Sequence, residues 1–176
     1  MTPFRIARAT NSPATIESLA RVTIDVVEAG ASVGFMLPLA EETAMEFWRK
    51  ALASADRGER IVLVAEDGET QQIVGTVSVI LAMPNNQPHR ADIAKMQVHR
   101  RARRRGLGEQ LMRAAESAAR EAGRNLLVLD TVAGSDAERL YMRLGWQRVG
   151  IIPNYALWPS GGLCDTVVFY RELAAR

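Results

Sequence analysis

A basic, glycine-punctuated segment constrains the fold of this 176-residue chain more than any other stretch. The apolar run that ends at Val98 predicts a strand, and the amphipathic spacing from Leu107 onward predicts a helix. Five arginines, followed by Gly106 and Gly108, mark the junction between the two. A helix that opens after such a loop points free backbone N–H groups at one spot, with the positive end of its dipole behind them. The segment therefore predicts a phosphate-binding site.

The order of residues in this loop separates it from two common phosphate-binding motifs. Its glycines follow the arginines, as Arg103-x-x-Gly106-x-Gly108. This is neither the dinucleotide fingerprint Gly-x-Gly-x-x-Gly nor the Walker loop that ends in Gly-Lys-Ser/Thr. An isolated basic cluster is usually a solvated face, a nucleic-acid patch or a targeting tract. The position between a strand and a helix favours an anion site instead.

Composition and charge narrow the class of protein. A hydrophobic content of 48% suits one globular domain over residues 1–176. No apolar run reaches the roughly 18 residues of a membrane span, and the N-terminus has no apolar signal core, so we expect a cytoplasmic protein that does not bind membranes. The single cysteine fits a reducing compartment. Two histidines without Cys–His spacing lead us to expect no metal.

The formal net charge is only +2, because acidic residues are spread over the rest of the chain. A local anion site explains this distribution better than a wholly basic nucleic-acid surface does. Aromatic content is 6%, and no aromatic ladder flanks the arginines. We therefore expect no nucleic-acid partner, since single-strand binding depends on base stacking.

Hydrophobic periodicity and the Gly/Pro positions predict a mixed α/β fold. Strands are predicted at 4–9, 61–65, 73–82, 92–98, 126–130, 148–152 and 166–171, and helices at 13–29, 41–55, 107–122 and 135–144. A loop through Pro153, Pro159, Gly161 and Gly162 is predicted between the last two strands. This order indicates a mostly antiparallel first half and a β-α-β-α-β second half.

The basic loop and this element order resemble the GNAT superfamily of acetyl-CoA-dependent acyltransferases. The resemblance covers essentially the whole domain. It implies a central, mostly antiparallel sheet with splayed strands, flanked by helices. It also implies acetyl-CoA as the co-substrate and allows a homodimer formed through the late strands.

Several segments are more specifically similar to the tabtoxin-resistance acetyltransferases, which acetylate the amine of a β-lactam amino-acid toxin. These segments are 30–36, 90–92, 105–112, 129–131, 133–135 and 148–150, together with Tyr141. Asp92 stands where those relatives have Glu, and the loop from Asn154 to Asp165 does not match them well. Both departures fall where a substrate could be recognised.

The resemblance assigns the coenzyme to the loop and its neighbours. The pyrophosphate would lie on the N–H groups of residues 105–109, where glycines let the backbone approach closely. A backbone N–H near Gln97 would polarise the thioester carbonyl, and Ser135 either lines the pantetheine channel or caps its helix. The residues assigned to the coenzyme are Met96, Gln97, Val98, Arg103, Arg104, Arg105, Gly106, Leu107, Gly108, Glu109, Ser135 and Ala137.

Three residues are candidates for the chemistry. Tyr141 corresponds to the family's general acid, although proton transfer from an ordinary tyrosine to a thiolate is uphill by roughly 2 kcal/mol. Its alternative role is a core tyrosine with a satisfied hydroxyl. Asp130 ends an apolar strand and is predicted to bind the incoming ammonium or take its proton, with a turn residue as the alternative. Asp92 is predicted either to face the same cleft or to be a strand-edge solubility residue.

The resemblance implies that the glycine-rich exit of the first helix, with Ser32, Gly34 and Phe35, forms a wall of the acceptor pocket, and that Asp130 binds the acceptor. An ordinary loop between two helices is the alternative for residues 32–35. The leading prediction is an N-acetyltransferase for a small primary amine, in its narrower form a tabtoxin-like amino acid. A polyamine, an aminoglycoside or a protein N-terminus are alternative acceptors. A non-catalytic acyl-CoA sensor and a nucleic-acid binder built on the arginines are the alternatives from other classes.

Overall fold

The computed structural model describes residues 4–174 as a seven-stranded mixed sheet with helices on both faces. The strands are β1 (Phe4–Arg8), β2 (Arg60–Asp67), β3 (Ile73–Ile80), β4 (Arg90–Val98), β5 (Leu126–Val132), β6 (Gln147–Leu157) and β7 (Leu163–Glu172). The helices are α1 (Pro13–Glu28), α2 (Glu41–Asp56), α3 (Leu107–Glu121) and α4 (Asp136–Arg143). The predicted fold class and element order are confirmed.

The sheet has the strand order β1-β2-β3-β4-β5-β7-β6. Every neighbouring pair is antiparallel except β4 and β5, which run parallel. These two strands pair only over Arg90–Asp92 and Leu126–Val128. Beyond those residues they separate, and a gap opens within the sheet, as the splayed strands of the sequence analysis require.

The helices cover both faces because the central strands are apolar on both faces. In β2, Val62 and Val64 belong to the core that α1 and α2 form. Leu63 and Ala65 alternate with them and belong to the core on the α3 side, which also contains Leu111. Successive residues of a strand point to opposite faces of the sheet, so a strand that is apolar at every position is buried on both sides. Between residues 4 and 174, no helix is long and apolar enough to span a membrane.

The late hairpin extends further than its predicted strands, 148–152 and 166–171. Pro153, expected in the connecting loop, lies inside β6. A proline has no N–H for a strand ladder, so it is tolerated on an edge strand or at a bulge. Pro153 meets both conditions, because β6 is the last strand of the sheet and its register with β7 shifts between Ile152 and Ala156. Several of the hairpin's large apolar side chains are exposed, namely Val149, Ile151, Ile152, Tyr155, Leu157 and Leu163.

A buried carboxylate anchors the start of the arginine-rich loop to α1. Asp25 accepts hydrogen bonds from the backbone N and the Nε of Arg100, both at 2.8 Å. Burial alone raises the pKa of the Asp25 carboxyl, but the bonds from Arg100 outweigh it and hold the pKa below its usual range. The loop therefore leaves β4 in a direction fixed by a charge-assisted contact.

We predict that Asp25→Asn lowers the free energy of unfolding at pH 7 by roughly 1–3 kcal/mol, the usual range for hydrogen bonds to a charged group. Because the folded-state pKa is depressed, the difference from wild type should be complete above about pH 4 and shrink as the pH falls further. Urea unfolding at a series of pH values measures it. Glu28→Gln is the matched control, because Glu28 meets the same guanidinium at 3.6 Å with an exposed side chain. Equal losses in both variants would contradict the anchor.

Candidate active site

The gap between β4 and β5 opens into a cleft of about 1550 Å³. Small-molecule pockets usually occupy roughly 300–1,000 Å³, so this cleft has room for two reactants. Most of the predicted site residues line it, namely Ser32, Gly34, Phe35, Met96, Gln97, Val98, Arg103, Arg104, Gly106, Leu107, Gly108, Glu109, Asp130, Ser135, Ala137 and Tyr141. Residues from six parts of the chain thus meet at one place.

Two predicted site residues lie outside the cleft. Asp92 belongs to the last residue pair that still joins β4 to β5, forms an ion pair with Arg90 and does not line the cleft. Because β4 is a central strand, the alternative position at a strand edge is not found either. The side chain of Arg105 contacts Asp67 at 3.4 Å and stacks 4.5 Å from the centre of the Phe4 ring. Arg105 therefore braces the loop against the first strands and adds no charge to the cleft.

The N-terminus of α3 leaves its backbone donors open to the cleft. Its N-cap is Gly106, in the left-handed region at φ 76°, and no side chain caps the helix. In contrast, Ser12 caps α1 and Ser135 caps α4, each through its hydroxyl oxygen. The first N–H groups of any helix have no partner within the helix. At α3 these groups are therefore available to an anion, with the helix dipole behind them.

The glycine at position 108 is needed for a close approach. A Cβ built on Gly108 would lie 3.0 Å from Cδ2 of Leu140, which belongs to α4. The first turn of α3 therefore lies close to the Leu140 side chain of α4. Ser135 caps α4 through a bond from the Glu138 N–H at 3.1 Å, so its helix-capping role is present in a residue that also lines the cleft.

Positive charge lies on both walls at this end of the cleft. Arg103 and Arg104 come from the loop, and Arg104 has a left-handed backbone at φ 61°. Arg139 and Arg143 of α4, which the sequence analysis did not single out, line the opposite wall. Their four-residue spacing places them on one face of the helix, and this is the signal that could have found them.

Tyr141 lies at the base of the cleft and is 5% exposed. Its ring packs 6.0 Å from Phe169 and 6.1 Å from Trp146. Burial, with a smaller contribution from the Asp130 charge, raises the pKa of Tyr141 above its ordinary value. The hydroxyl therefore remains protonated and able to donate, and complete loss of its proton is harder than for a free tyrosine.

Asp130 is exposed to the cleft rather than placed in a turn. Strand β5, predicted to end at this residue, continues to Val132, so the alternative role of a turn residue is wrong. One carboxylate oxygen accepts a hydrogen bond from Oγ1 of Thr166 at 3.1 Å, which orients the group. The charge of Asp130 acts on both Tyr141 and Lys95, so the three side chains share one electrostatic environment.

The exit of α1 forms the wall predicted for an acceptor. Ser32 donates its hydroxyl hydrogen to the carbonyl oxygen of Leu157 at 2.7 Å, which joins this wall to the late hairpin. Gly34 has φ +90°, a conformation that side chains rarely adopt. The ring of Phe35 packs edge-on against Phe47 at 5.4 Å.

Sequence analysis missed Lys95, whose side chain also lines the cleft. It is the one charged residue in the stretch Ile93–Val98, an interruption that could have drawn attention to it. Burial lowers the pKa of its ammonium, and the charge of Asp130 offsets this in part. Within residues 4–174, no group of three or more His, Cys, Asp or Glu side chains is arranged to hold a metal ion.

A buried hydrogen-bond chain holds the middle of β4 in place. Nε1 of Trp48 donates to Oγ1 of Thr23 at 2.8 Å, and Thr23 donates to Oε1 of Gln97 at 2.9 Å. Trp48 belongs to α2 and Thr23 to α1, so both helices fix the orientation of the Gln97 side chain. Because the Gln97 side chain is engaged by Thr23, the part of this residue available to a ligand is its backbone, on the side of β4 that faces the gap.

Comparison with known proteins identifies the family of this chain. A model described as "Acetyltransferase (GNAT) family" matches residues 32–146, more than half of the chain. A structure from Acinetobacter baylyi ADP1, described as an acetyltransferase, superposes with a TM-score of 0.81 at 20% identity, covering 98% of this chain and 93% of that one. A structure from Salmonella typhimurium contains acetyl-CoA and superposes with a TM-score of 0.78 at 18% identity, covering 98% and 95%.

A ribosomal-protein-alanine N-acetyltransferase from Brucella melitensis superposes with a TM-score of 0.77 at 25% identity and covers 96% of this chain and 99% of that one. The predicted resemblance to the superfamily is confirmed, whereas the closer relation to the tabtoxin-resistance enzymes stays a prediction. The chain belongs to the acetyltransferase (GNAT) family, whose acetyl donor is acetyl-CoA.

Proposed function

We propose that this chain moves the acetyl group of acetyl-CoA to the primary amine of a small molecule. The observation that carries the proposal is one continuous cleft that contains the uncapped amides of α3, the protonated hydroxyl of Tyr141 and the carboxylate of Asp130. An anion site, a hydrogen-bond donor and a site for a cation are the groups that this transfer needs.

The donor fits the wide part of the cleft. The free N–H groups of Leu107, Gly108 and Glu109 would hold its diphosphate, and Arg103 and Arg104 would add charge there or at the 3′-phosphate. Between β4 and β5, the edge of β4 beyond Asp92 has no strand partner and can bind the amides of the pantetheine arm. When bound, acetyl-CoA supplies the thioester that is cleaved.

Asp130 and Tyr141 would act on the two sides of that thioester. Asp130 attracts and orients the ammonium form of the acceptor, whose proton leaves through the open cleft to water before the nitrogen attacks. As the new C–N bond forms and the C–S bond breaks, the nitrogen loses a second proton to water and Tyr141 donates a hydrogen bond to the departing sulfur. Coenzyme A leaves as a thiolate, which takes up a proton from water. A donor with a raised pKa stabilises negative charge on sulfur without surrendering its proton completely.

The narrower acceptor, a tabtoxin-like amino acid, is part of the same proposal. Asp92, which stands on β4 where those relatives have Glu, lies outside the cleft. The change from Glu to Asp therefore does not alter the acceptor pocket. The departure in the loop after Pro153 does reach it, because Tyr155 and Trp158 line the cleft. The hairpin side of the cleft is therefore where this chain departs from those relatives.

An acceptor screen tests the function directly. Purified protein with acetyl-CoA is offered amino acids, polyamines, aminoglycosides and a peptide with a free N-terminus, and free coenzyme thiol is followed. We expect thiol release that depends on a small primary amine, and mass spectrometry should find that amine heavier by one acetyl group. A protein that binds acetyl-CoA and releases no thiol with any amine would be an acyl-CoA sensor, and the proposed function would be wrong.

We predict that Gly108→Trp weakens coenzyme A binding by roughly 100-fold or more, the loss expected for two charge-assisted hydrogen bonds. The fold should survive, because the new Cβ meets only the flexible end of Leu140. Calorimetric titration measures the affinity, and thermal unfolding checks the fold. Gly150→Trp, in open space on β6, is the control and should bind normally. Unchanged affinity in Gly108→Trp would show that the diphosphate does not bind at this end of α3.

We predict that Tyr141→Phe lowers kcat by roughly 10- to 100-fold, the worth of one hydrogen bond to developing charge. The affinity for acetyl-CoA should hardly change. Because the pKa of Tyr141 is raised, the hydroxyl stays protonated through ordinary pH, and the ratio of wild-type to variant kcat should be constant from pH 7 to about pH 10. Stopped-flow or steady-state assays across that range measure the ratio.

Tyr170→Phe is the matched control, since Tyr170 is exposed on β7 and lies outside the cleft. It should keep wild-type kcat. If Tyr141→Phe also keeps wild-type turnover, Tyr141 is a core residue and the departing sulfur takes its hydrogen bond from another group.

A further inference from the structure

We propose that Lys95 forms an anion-binding subsite beside Asp130, and that the acceptor therefore carries a carboxylate as well as its primary amine. This inference rests on the proposed function and names the class of its acceptor. It separates amino-acid-like acceptors from polyamines and aminoglycosides, which carry amines but no carboxylate.

The ammonium of Lys95 has unused hydrogen-bond donors at the cleft. Its Nζ donates one hydrogen bond, to the carbonyl oxygen of Val33 at 2.8 Å. An ammonium carries three donors, and within residues 4–174 no second hydrogen-bond acceptor meets it. Since Lys95 lines the cleft, the remaining donors are available to a bound molecule.

The positive charge of Lys95 also lacks a counterion. Among the described residues no carboxylate oxygen lies within the 4.0 Å of an ion pair. Asp130 is near enough to act on the Lys95 ammonium electrostatically without touching it. The Nζ lies 5.3 Å and 5.8 Å from the ring centres of Phe47 and Phe35, whose faces stabilise the charge in part by cation–π attraction. The rings do not neutralise a half-buried ammonium, so a ligand carboxylate would lower its free energy further.

The backbone holds Lys95 in this position. Lys95 has a left-handed conformation at φ 52°, and the register between β3 and β4 shifts opposite it, between Thr76 and Ser78. A bulge of this kind redirects a side chain out of the regular alternation of a strand. On the facing loop, a Cβ at Gly34 would lie 3.3 Å from the Nζ, so the glycine leaves room for the ammonium.

The two charges together match a dipolar acceptor. Asp130 would bind the ammonium of the acceptor and Lys95 its carboxylate, so a zwitterion meets an opposite charge at each end. A polycation could also be attracted by Asp165, which lines the cleft as well, but its additional ammonium groups would be repelled by Lys95. The pair therefore favours an amino acid or a close analogue over an acceptor that carries only positive charge.

Paired acceptors test the subsite. Amino acids and their carboxamides, together with a polyamine and an aminoglycoside, are assayed by free coenzyme thiol with wild type, Lys95→Met and Lys50→Met. Lys50 is the only other lysine of the chain and lies exposed on α2, so it is the matched control. Methionine keeps the length and apolar body of the Lys95 side chain, and thermal unfolding checks each variant.

We expect wild type to prefer an amino acid over its carboxamide by roughly 10- to 100-fold in kcat/KM, the range for a hydrogen bond to a charged group. In Lys95→Met the preference should fall to a few-fold, through loss of activity on the acid alone. In Lys50→Met it should stay at the wild-type level.

Three results would overturn the proposal. Equal losses on acid and carboxamide in Lys95→Met would make Lys95 a tether for the Val33 loop. A wild-type preference for the polyamine, the aminoglycoside or the carboxamides would reject the subsite and leave the acetyltransferase intact. No thiol release with any amine would reject the proposed function, and this inference with it.

Discussion

The parallel pairing of β4 with β5 ends after three residue pairs, and this early end determines where every other part of the cleft lies. Each strand is held firmly on its other side, β4 by β3 and β5 by β7, so neither can swing across to close the gap. The buried hydrogen bonds from Trp48 to Thr23 and from Thr23 to Gln97 also fix β4 against helices α1 and α2. A sheet with one unpaired seam is thereby stable enough to persist, although unpaired strand edges are usually covered.

The charges at the start of α3 and those between Lys95 and Asp130 form two different arrangements within the cleft. Near the start of α3, open amides and four arginine side chains outnumber the carboxylates of Glu109 and Asp136, and this excess of positive charge suits a polyanionic donor. Between Lys95 and Asp130 the charges are of both signs and partly shielded from water. The first arrangement attracts a ligand by net charge, whereas the second selects one by the spacing of its charges. Under the proposed function, binding of the donor and choice of the acceptor would therefore be physically separate tasks within one cavity.

Much of this architecture could be predicted from sequence because it depends on local patterns. The element order follows from periodicity, and the uncapped start of α3 follows from glycines placed between a strand and a helix. What escaped prediction depends on distant contacts. Asp92 and Asp130 are both carboxylates on neighbouring strands, and only the length of the β4–β5 pairing decides which of them reaches the gap. Lys95 stands out as the one charge between Ile93 and Val98, but the direction of its side chain is set by a bulge against β3, which the sequence of β4 does not reveal.

The same distinction applies to Arg105 and Pro153. Arg105 belongs to the basic loop by sequence, yet its guanidinium is drawn to Asp67 and Phe4, far away along the chain. Pro153 reads as a loop residue by composition, but the edge position of β6 removes the need for its missing donor. In each case the residue type was interpreted correctly and its surroundings were not.

The roof over the acceptor is made of two segments that lie outside the framework of the donor site. The exit of α1 and the tip of the late hairpin are joined by the bond from Ser32 to Leu157 and by a backbone bond from Leu37 to Pro159 at 2.9 Å. Neither segment contributes to the seam or to the first turn of α3. Under the proposed function, substitutions in this roof would leave the half of the cleft that binds the thioester unchanged, so that one scaffold would serve acetyltransferases for different acceptors.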